Sequence, residues 1–575
     1  MKRQPISILV LMAAVLTVVA CGPAAAPRVT TDGASGEVRS TAPKSLTIAL
    51  EGEPEYLLLP ALGGGGGTGQ IGGNLRLAVH QQLSTYDDRG DIHPQLAIEV
   101  PAVDKGTWVV RPDGTMQTTY RLHRNVTWHD GTPLTAKDFV FGWTVQRDRD
   151  LPLSGRGIAD EIGQIATTDD ATLVLEWVRS YPFANAIVDD AIGPIPTHLL
   201  EAIYQADKER FAQLPYWKAE FVGVGPYRVT EWEPGSHLVV KAYDNFYRGR
   251  AKIDTLTFRF ISSAPTVVAN LLSGAIDGQI PRAIDFTQSM FVKSEWERAG
   301  QRPSVIVQPT HYRHAAVRFN DPTPRELLDP RVRRGLMFAL DRQALVDALL
   351  DGQAPVADTF VTPDDPRWEW VKDVVARYPY DPRQAEQQFA AVGWQRGAGG
   401  NLVNATGAPV SIQIWTTGGQ QNEQEAAIVA DSWKGAGIQA EQFIVPSAQA
   451  RDNRFRASYP AFTMTAVPLR FENLTNIHYG ALCPTEENRF SGSNNSCYRN
   501  PAMDSITDGL RSAIAPEDQR RWYRDWVRLH TEDLPTFPLY FNVQVTLFRE
   551  GVTGVKGDTK PRTTISWNIA EWDVR

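Results

Sequence analysis

The stretch Gly223-Val-Gly-Pro-Tyr-Arg-Val-Thr-Glu-Trp-Glu-Pro-Gly-Ser-His-Leu-Val-Val-Lys241 reads as a turn followed by two strands. Gly223 and Gly225 admit backbone angles that other residues avoid, and Pro226 fixes the direction of exit. Glu233-Pro234-Gly235 supplies the tight turn between the two strands.

Outward from this segment, the N-terminus says where the chain works. Lys2 and Arg3 precede an apolar run from Ile6 to Ala20. A bilayer span needs about 20 apolar residues, so this run fits an export signal better than a membrane helix. It ends Val18-Val19-Ala20-Cys21, small residues before a cysteine, which resembles a bacterial lipobox. In that class of signal, cleavage precedes the cysteine, here Cys21, whose thiol carries diacylglycerol. The alternative is ordinary cleavage within Ala24-Ala25-Ala26, which would leave a free protein. Residues 22 to 44 are rich in Ala, Pro, Gly, Ser and Thr and read as a flexible tether. The formal net charge of −8 becomes −10 once Lys2 and Arg3 leave with the signal, an acidity that argues against nucleic acid as a partner.

Three cysteines fit export. With Cys21 taken by the lipobox, Cys483 and Cys497 remain, enclosing a short polar loop that most simply closes as a disulfide. Such a loop would stabilise the fold by about 3 kcal/mol on the chain-entropy argument. The rival reading is a pair of metal thiolates with His478 nearby, although the spacing is unlike a zinc knuckle.

At 575 residues the chain suits two lobes, each with its own core. Strand and helix signals alternate irregularly, which predicts α/β lobes with mixed sheets. Ser45–Leu50, Gln117–Leu122 and Thr172–Trp177 read as strands. Thr135 reads as a helix N-cap with Asp138 at the third helical position. Asp329-Pro330 and Asp381-Pro382 each place a capping carboxylate before a proline at the first helical position, and the second helix stops at Gly393.

Five segments, in order, resemble one family. They are the Gly223 segment; Trp128-His-Asp-Gly-Thr-Pro-Leu-Thr-Ala-Lys-Asp-Phe-Val-Phe141; Asp329-Pro-Arg-Val-Arg-Arg-Gly-Leu-Met-Phe-Ala-Leu-Asp-Arg342; Tyr380-Asp-Pro-Arg-Gln-Ala385 through Gly393; and Leu534-Pro-Thr-Phe-Pro-Leu-Tyr540. Together they resemble family 5 of the extracytoplasmic solute-binding proteins of ABC importers, whose members bind oligopeptides, dipeptides, nickel and related solutes. The resemblance implies a two-lobed periplasmic-binding-protein-like fold of type II, in the large class with an extra inserted domain. It divides the chain into a signal (1–20), tether (21–44), lobe I (45–85, 221–310 and 533–575), inserted domain (86–220) and lobe II (311–532). The chain would cross between lobes near 311 and near 533, forming a hinge that ligand closes.

The same resemblance points to ligand-binding residues. Glu51-Gly-Glu-Pro-Glu-Tyr56 resembles a loop that enters the cleft, where Glu53 would meet a cationic group and Tyr56 would lie beside it; the plain reading of Glu53 is a solvated surface acid. Tyr312 and Arg313 would line the hinge side. Trp415 and Thr416 end a strand where relatives present residues to the cleft, with burial in the core as the alternative for Trp415. Peptide binders of the family often carry a Trp followed by an acid near Met464–Tyr479. This chain instead reads Leu-Arg470-Phe471-Glu472-Asn473, in which Arg470 would suit a carboxylate and Glu472 would replace the missing acid.

Other patterns read as structure. His129 and Asp130 are neighbours whose side chains point apart, and Asp130-Gly131 makes a turn. Arg331, Arg333 and Arg334 open a helix, where solvated or interlobe pairing fits better than phosphate binding. His311 and His314 would face opposite sides of a strand, whereas on a helix turn they could share a metal; no metal is expected there. Gly63–Gly67 lacks the lysine and helix signal of a phosphate loop. No HExxH, Gly-x-Ser-x-Gly or Walker motif is present, so no enzyme and no cofactor is expected. The resulting expectation is a monomeric binding component anchored through Cys21 to the outer face of the cytoplasmic membrane. It would take a small-molecule or peptide ligand and pass it to ABC permease subunits. A peptide is the leading solute; an oligosaccharide or other non-peptide solute, or a surface receptor without transport, is the alternative.

Overall fold

Residues 42–575 are described by a computed structural model, apart from 59–67, 152, 154–156, 188–191, 451, 470–474 and 558–563. Cys21, the leader, nearly all of the tether and Gly63–Gly67 lie outside the described residues.

The strands named below, in chain order, begin with β1 (Ser45–Leu50), then β2 (Trp108–Val110), β3 (Met116–Arg121), β4 (Ile162–Asp169) and β5 (Thr172–Trp177). The hairpin of the opening segment is β6 (Tyr227–Glu233) and β7 (His237–Ala242), followed by β8 (Thr255–Phe260) and β9 (Gly278–Gln279). The remaining strands are β10 (Ser304–Val317), β11 (Ser411–Thr417), β12 (Gln439–Val445), β13 (Phe462–Pro468) and β14 (Thr536–Phe548). Five helices matter here: α1 (Ala136–Arg147), α2 (Pro330–Phe338), α3 (Pro382–Ala390), α4 (Gln420–Gly435) and α5 (Pro516–Asp533).

Ten strands form one mixed sheet in the order β12-β11-β13-β10-β14-β9-β1-β8-β7-β6. The long strands β10 and β14 sit at its middle and pair antiparallel from Ser304–Phe548 to Ala316–Thr536. One end of β14 meets β9, and the other end of β10 meets β13. The two halves of the sheet are therefore joined through this one ladder. Its register slips between Pro309 and His311 and again between Arg313 and His314, local irregularities that bend and twist strands.

The expectation of a separate core for each lobe is not met: the largest apolar cluster runs across both halves of the sheet, from Ala49 and Val292 to Trp433 and Phe462, because β10 and β14 bring their inner faces together. Helices α2, α3 and α4 cover the half that contains β11 and β13. Trp433 of α4 lies against Phe462 and Phe537 and donates Nε1–H to Leu336 O at 3.0 Å. Both proline-led helices are capped as expected: the Asp329 carboxylate accepts from Arg331 N, and that of Asp381 from Arg383 N and Gln384 N. The three arginines of α2 are neither solvated freely nor set around an anion. Arg331 pairs with Asp329, while Arg333 is buried and donates to the carbonyls of Leu327 and Asp533. Arg334 reaches Glu532 O at the long distance of 3.5 Å.

A separate four-stranded sheet, β2-β3-β5-β4, belongs to the segment between β1 and β6 and has its own aromatic core around Trp128 and Trp177. It is fastened to the large sheet by the opening segment. Gly223 N–H donates to His129 Nδ1 at 3.1 Å, and His129 Nε2 lies 3.0 Å from Gly225 O. An accepting Nδ1 fixes the tautomer with the proton on Nε2. Burial pushes His129 down to about 4, which keeps the ring neutral. Asp130 turns away to bond His198 and Thr132, so the His-Asp pair is two structural contacts, not a proton relay. Asp138 of α1, 4 % exposed, accepts from Thr135 N and Thr197 N, joining the start of α1 to the start of the helix Thr197–Ala206.

The glycines at this joint are required for space. A Cβ on Gly223 would lie 2.0 Å from Val79 O, and one on Gly225 2.3 Å from Val79 C. Gly235 turns the hairpin at φ 71° with open space around it. Gly225→Ala is expected to destabilise the protein by about 2–4 kcal/mol, since backbone must move, and Gly235→Ala by only about 1 kcal/mol of left-handed strain. Urea unfolding of the two variants checks this; equal losses would contradict the packing argument.

Candidate functional site

Where β10 and β14 pass from one half of the sheet to the other, polar side chains replace the apolar alternation. Gln308 stands in register with Gln544, and His311 with Asn542. The opposite face of the same ladder, with Val305, Val307, Val543 and Val545, belongs to the core. Polar groups on one face of a half-buried crossing are the composition of an oriented binding surface.

Two neighbouring groups, Arg282 and Glu51, come from other segments. The Arg282 guanidinium pairs with Glu51 at 3.1 Å, and burial lifts Glu51 above the usual carboxylate range despite that partner. Arg282 also adopts φ 87°, unusual for a residue with a side chain and a form of strain concentrated at functional sites. Burial, with Arg313 and Arg282 nearby, pushes His311 down to about 4, leaving a neutral ring whose Nδ1 lies 2.9 Å from Thr310 Oγ1. Leu469 N–H donates to Thr310 O at 3.2 Å, which holds Leu469 beside the residue preceding His311.

Behind this surface is a buried polar network. Arg313 is joined to Glu425 by two charge-assisted bonds, Nε to Oε1 at 3.1 Å and Nη2 to Oε2, with Nη2 also 2.9 Å from Asn422 Oδ1. The two side chains are 9 % and 1 % exposed. Burial opposes the charge on Arg313, but Glu425 and Tyr540 hold it above its ordinary pKa. Gln421 Nε2 donates to Tyr540 Oη at 3.1 Å and Asn542 Oδ1 at 3.0 Å. The first turns of α4 are thus bound to both crossing strands.

The residues expected from sequence fall in different places. Both oxygens of Glu53 are engaged, by Trp232 Nε1 at 2.7 Å and Gly235 N at 2.8 Å, so Glu53 fastens the β6–β7 turn and is not a free acid. Tyr56 is half-buried with Lys218 over its ring at 5.6 Å. Tyr312 is wholly buried in the core beside Phe541, so its ring has no face open to a solute. Arg313 is at the hinge side as expected, but its fork is neutralised by Glu425. Trp415 packs on Phe443 and Phe455 at 4.7 and 4.9 Å, the core alternative, because its strand position turns it towards a small satellite core. Thr416 is buried, with Oγ1 3.5 Å from Asn422 O. Arg470, Phe471, Glu472 and Asn473 lie outside the described residues. Sequence reading missed Arg282, Gln421 and Asn542, and placed Glu51 in the loop expected to enter the cleft without giving it a role. Glu51 directly follows the first strand, and that position was the one signal available.

A second opening lies elsewhere. A cavity of about 240 Å³ separates Arg89 and Phe183, on the segment with the small sheet, from Arg367, Trp370, Leu510 and Tyr523. Arg367 is bound to Asp365 at 2.5 Å and lies 5.2 Å from the Tyr523 ring. Among the described residues, no three His, Cys, Asp or Glu side chains are grouped to hold a metal ion, and no helix is long and apolar enough to cross a membrane.

Comparison with known proteins now bears on this geometry. The sequence profile of the bacterial extracellular solute-binding proteins, family 5, matches residues 99–473. The chain belongs to that family. It is 25 % identical over 472 residues to the oligopeptide-binding protein AppA of Bacillus subtilis, covering 80 % of this chain and 81 % of AppA. It is 26 % identical over 490 residues to protein XP55 of Streptomyces lividans, covering 84 % and 81 %. Among solved structures, NikZ of Campylobacter jejuni in complex with Ni(L-His) superposes with TM-score 0.71 at 20 % identity, covering 92 % of this chain and all of that one. The solute-binding protein therefore has the two-lobed fold of its family, is not an enzyme, and serves as the substrate-binding component in ABC import.

Arg313→Met is expected to cost about 3–5 kcal/mol, because it strands the buried Glu425 carboxylate. Arg313→Met with Glu425→Leu should recover most of that loss. Chemical denaturation of the two variants checks this; a double variant no more stable than the single one would contradict it.

Proposed function

We propose that this solute-binding protein is an exported lipoprotein, held by Cys21, that captures a peptide between its lobes and delivers it to the membrane permease. The lobes are those read from the sequence: 45–85, 221–310 and 533–575 on one side, 311–532 on the other, with 86–220 inserted. The observation that carries the reading is the polar face of the β10–β14 crossing, bordered by Glu51, Arg282 and His311. A solute seated there touches both halves of the sheet, so binding and closure form one equilibrium.

Several features support a peptide. AppA of Bacillus subtilis is named for oligopeptides, and its structure was solved with a nonapeptide. The Glu51–Arg282 pair offers one group of each charge, which suits the termini or charged side chains of a peptide. From the sequence, Arg470 and Glu472 are proposed as a second pair of opposite charge. Phe471 and Asn473 complete that proposed binding segment. Cys483 and Cys497, with Cα atoms 4.6 Å apart, close a loop downstream of it, and a disulfide there would hold the loop in an oxidising compartment.

Denaturing the purified soluble domain and identifying released molecules by mass spectrometry should yield peptides, and those peptides should raise the melting temperature when added back. Arg282→Ala should then weaken peptide binding by at least about tenfold, roughly 1.4 kcal/mol, with ligand-free melting almost unchanged because the Glu51–Arg282 pair is partly exposed. Calorimetric titration reads the first effect. A sugar or metal chelate released in place of peptides would overturn the peptide assignment.

A further inference from the structure

The second cavity, of about 240 Å³, shares no lining residue with the polar face of the β10–β14 crossing. One wall belongs to the segment that carries the small sheet. Arg89, Gly90 and Asp91 turn the hairpin between strands Ser84–Tyr86 and Ile92–Pro94, and Pro182 and Phe183 follow β5. The Asp87 carboxylate fixes that turn by accepting from Arg89 N at 2.8 Å and Asp91 N at 2.9 Å. The other wall is built from the C-terminal part of the chain: Trp370 of the helix Trp368–Val371, Leu510 of the helix Pro501–Ser512, and Tyr523 of α5. This wall is firm. Leu510 and Tyr523 are buried in one cluster with Phe360 and Trp526, and Trp370 meets Tyr523 edge-on at 6.1 Å.

Size and lining narrow the occupant. A dry apolar cavity of about 150 Å³ takes up benzene, so this one has room for a single ring with a short side group. It is too small for a solute of many residues. Phe183, Trp370 and Tyr523 supply flat aromatic walls, to which a ring adds offset or edge contacts. The sign of charge is set by guanidinium groups. Arg367 lies over the Tyr523 ring at 5.2 Å and Arg520 over the Trp370 ring at 5.7 Å. A cationic ligand would have to compete with both for those rings. Arg367 binds Asp365 through Nε at 2.9 Å and Nη2 at 2.5 Å, while its Nη1 makes no hydrogen bond among the described residues. A guanidinium held on one edge in this way keeps donors for a second carboxylate. Of the two acids in the lining, Asp365 is thus engaged, and Asp91 is exposed at the rim.

We propose that this cavity is a second binding site, for a small aromatic carboxylate. Its ring lies between Phe183, Trp370 and Tyr523, and its carboxylate accepts from Arg367, with Arg89 adding positive charge from the hairpin turn. Such an occupant touches both walls and ties the small-sheet segment to the helices opposite. The site rests on its own lining and not on the peptide assignment.

Fluorine NMR of the purified protein, with 4-fluorophenylacetate as the probe, tests the site. Neutral 4-fluorophenylacetamide and cationic 4-fluorobenzylamine test the ligand class. The acid should bind at least about tenfold more tightly than the amide, and the amine more weakly still. Leu510→Trp fills the cavity and should abolish binding of the acid. If that variant does not fold, Phe183→Ala, at a half-buried position, decides by weakening the acid at least about tenfold. Arg367→Gln with Asp365→Asn removes both members of the ion pair and should bring the acid down to the affinity of the amide. No binding of the acid, equal binding of the three probes, or an acid affinity unchanged by these substitutions would each overturn the proposal. Neither the probes nor the substituted residues touch the β10–β14 crossing, so this result and that for the peptide are read separately.

Discussion

The β10–β14 ladder is the constraint on which the rest of the molecule depends. Every strand of the large sheet on one side reaches the other only through these two, because β9 is bonded to β14 and β13 to β10. The two halves of the sheet therefore share this one ladder, and one apolar cluster runs beneath it. The ladder's register slips next to His311, and the polar residues collect there. Fold and binding surface are thus set by the same stretch of chain.

Such a crossing needs something to fix its shape. Arg313, Glu425, Asn422, Gln421 and Tyr540 do so by tying the first turns of α4 to both strands. A buried ion pair is a poor source of net stability, since desolvation offsets much of its attraction. Its value here is geometric, because a single arrangement satisfies all these donors and acceptors together. At the far end, His129 held between Gly223 and Gly225 sets the segment with the small sheet against the large sheet in a comparable way.

Much of the fold was legible because its signals are local. β1 and β5 have the expected bounds, and the caps at Asp329 and Asp381 act on the expected backbone groups. The site was less legible. Arg313 and Glu425 are 112 residues apart, and Glu51 and Arg282 are 231 apart, so no periodicity brings either pair together. Trp415 has the composition of a stacking platform, yet its neighbours Phe443 and Phe455 claim it for the core. Glu53 reads as a surface acid until the hairpin turn comes back to meet it.

The central claim is that a solute closes two lobes about the β10–β14 crossing. Distances between spin labels at Lys241→Cys and Lys434→Cys, both exposed and on opposite halves of the sheet, test it most directly. A saturating solute should shorten and narrow the distance distribution, which is expected to be longer and broader in the free protein. The same distribution with and without bound solute would contradict the account.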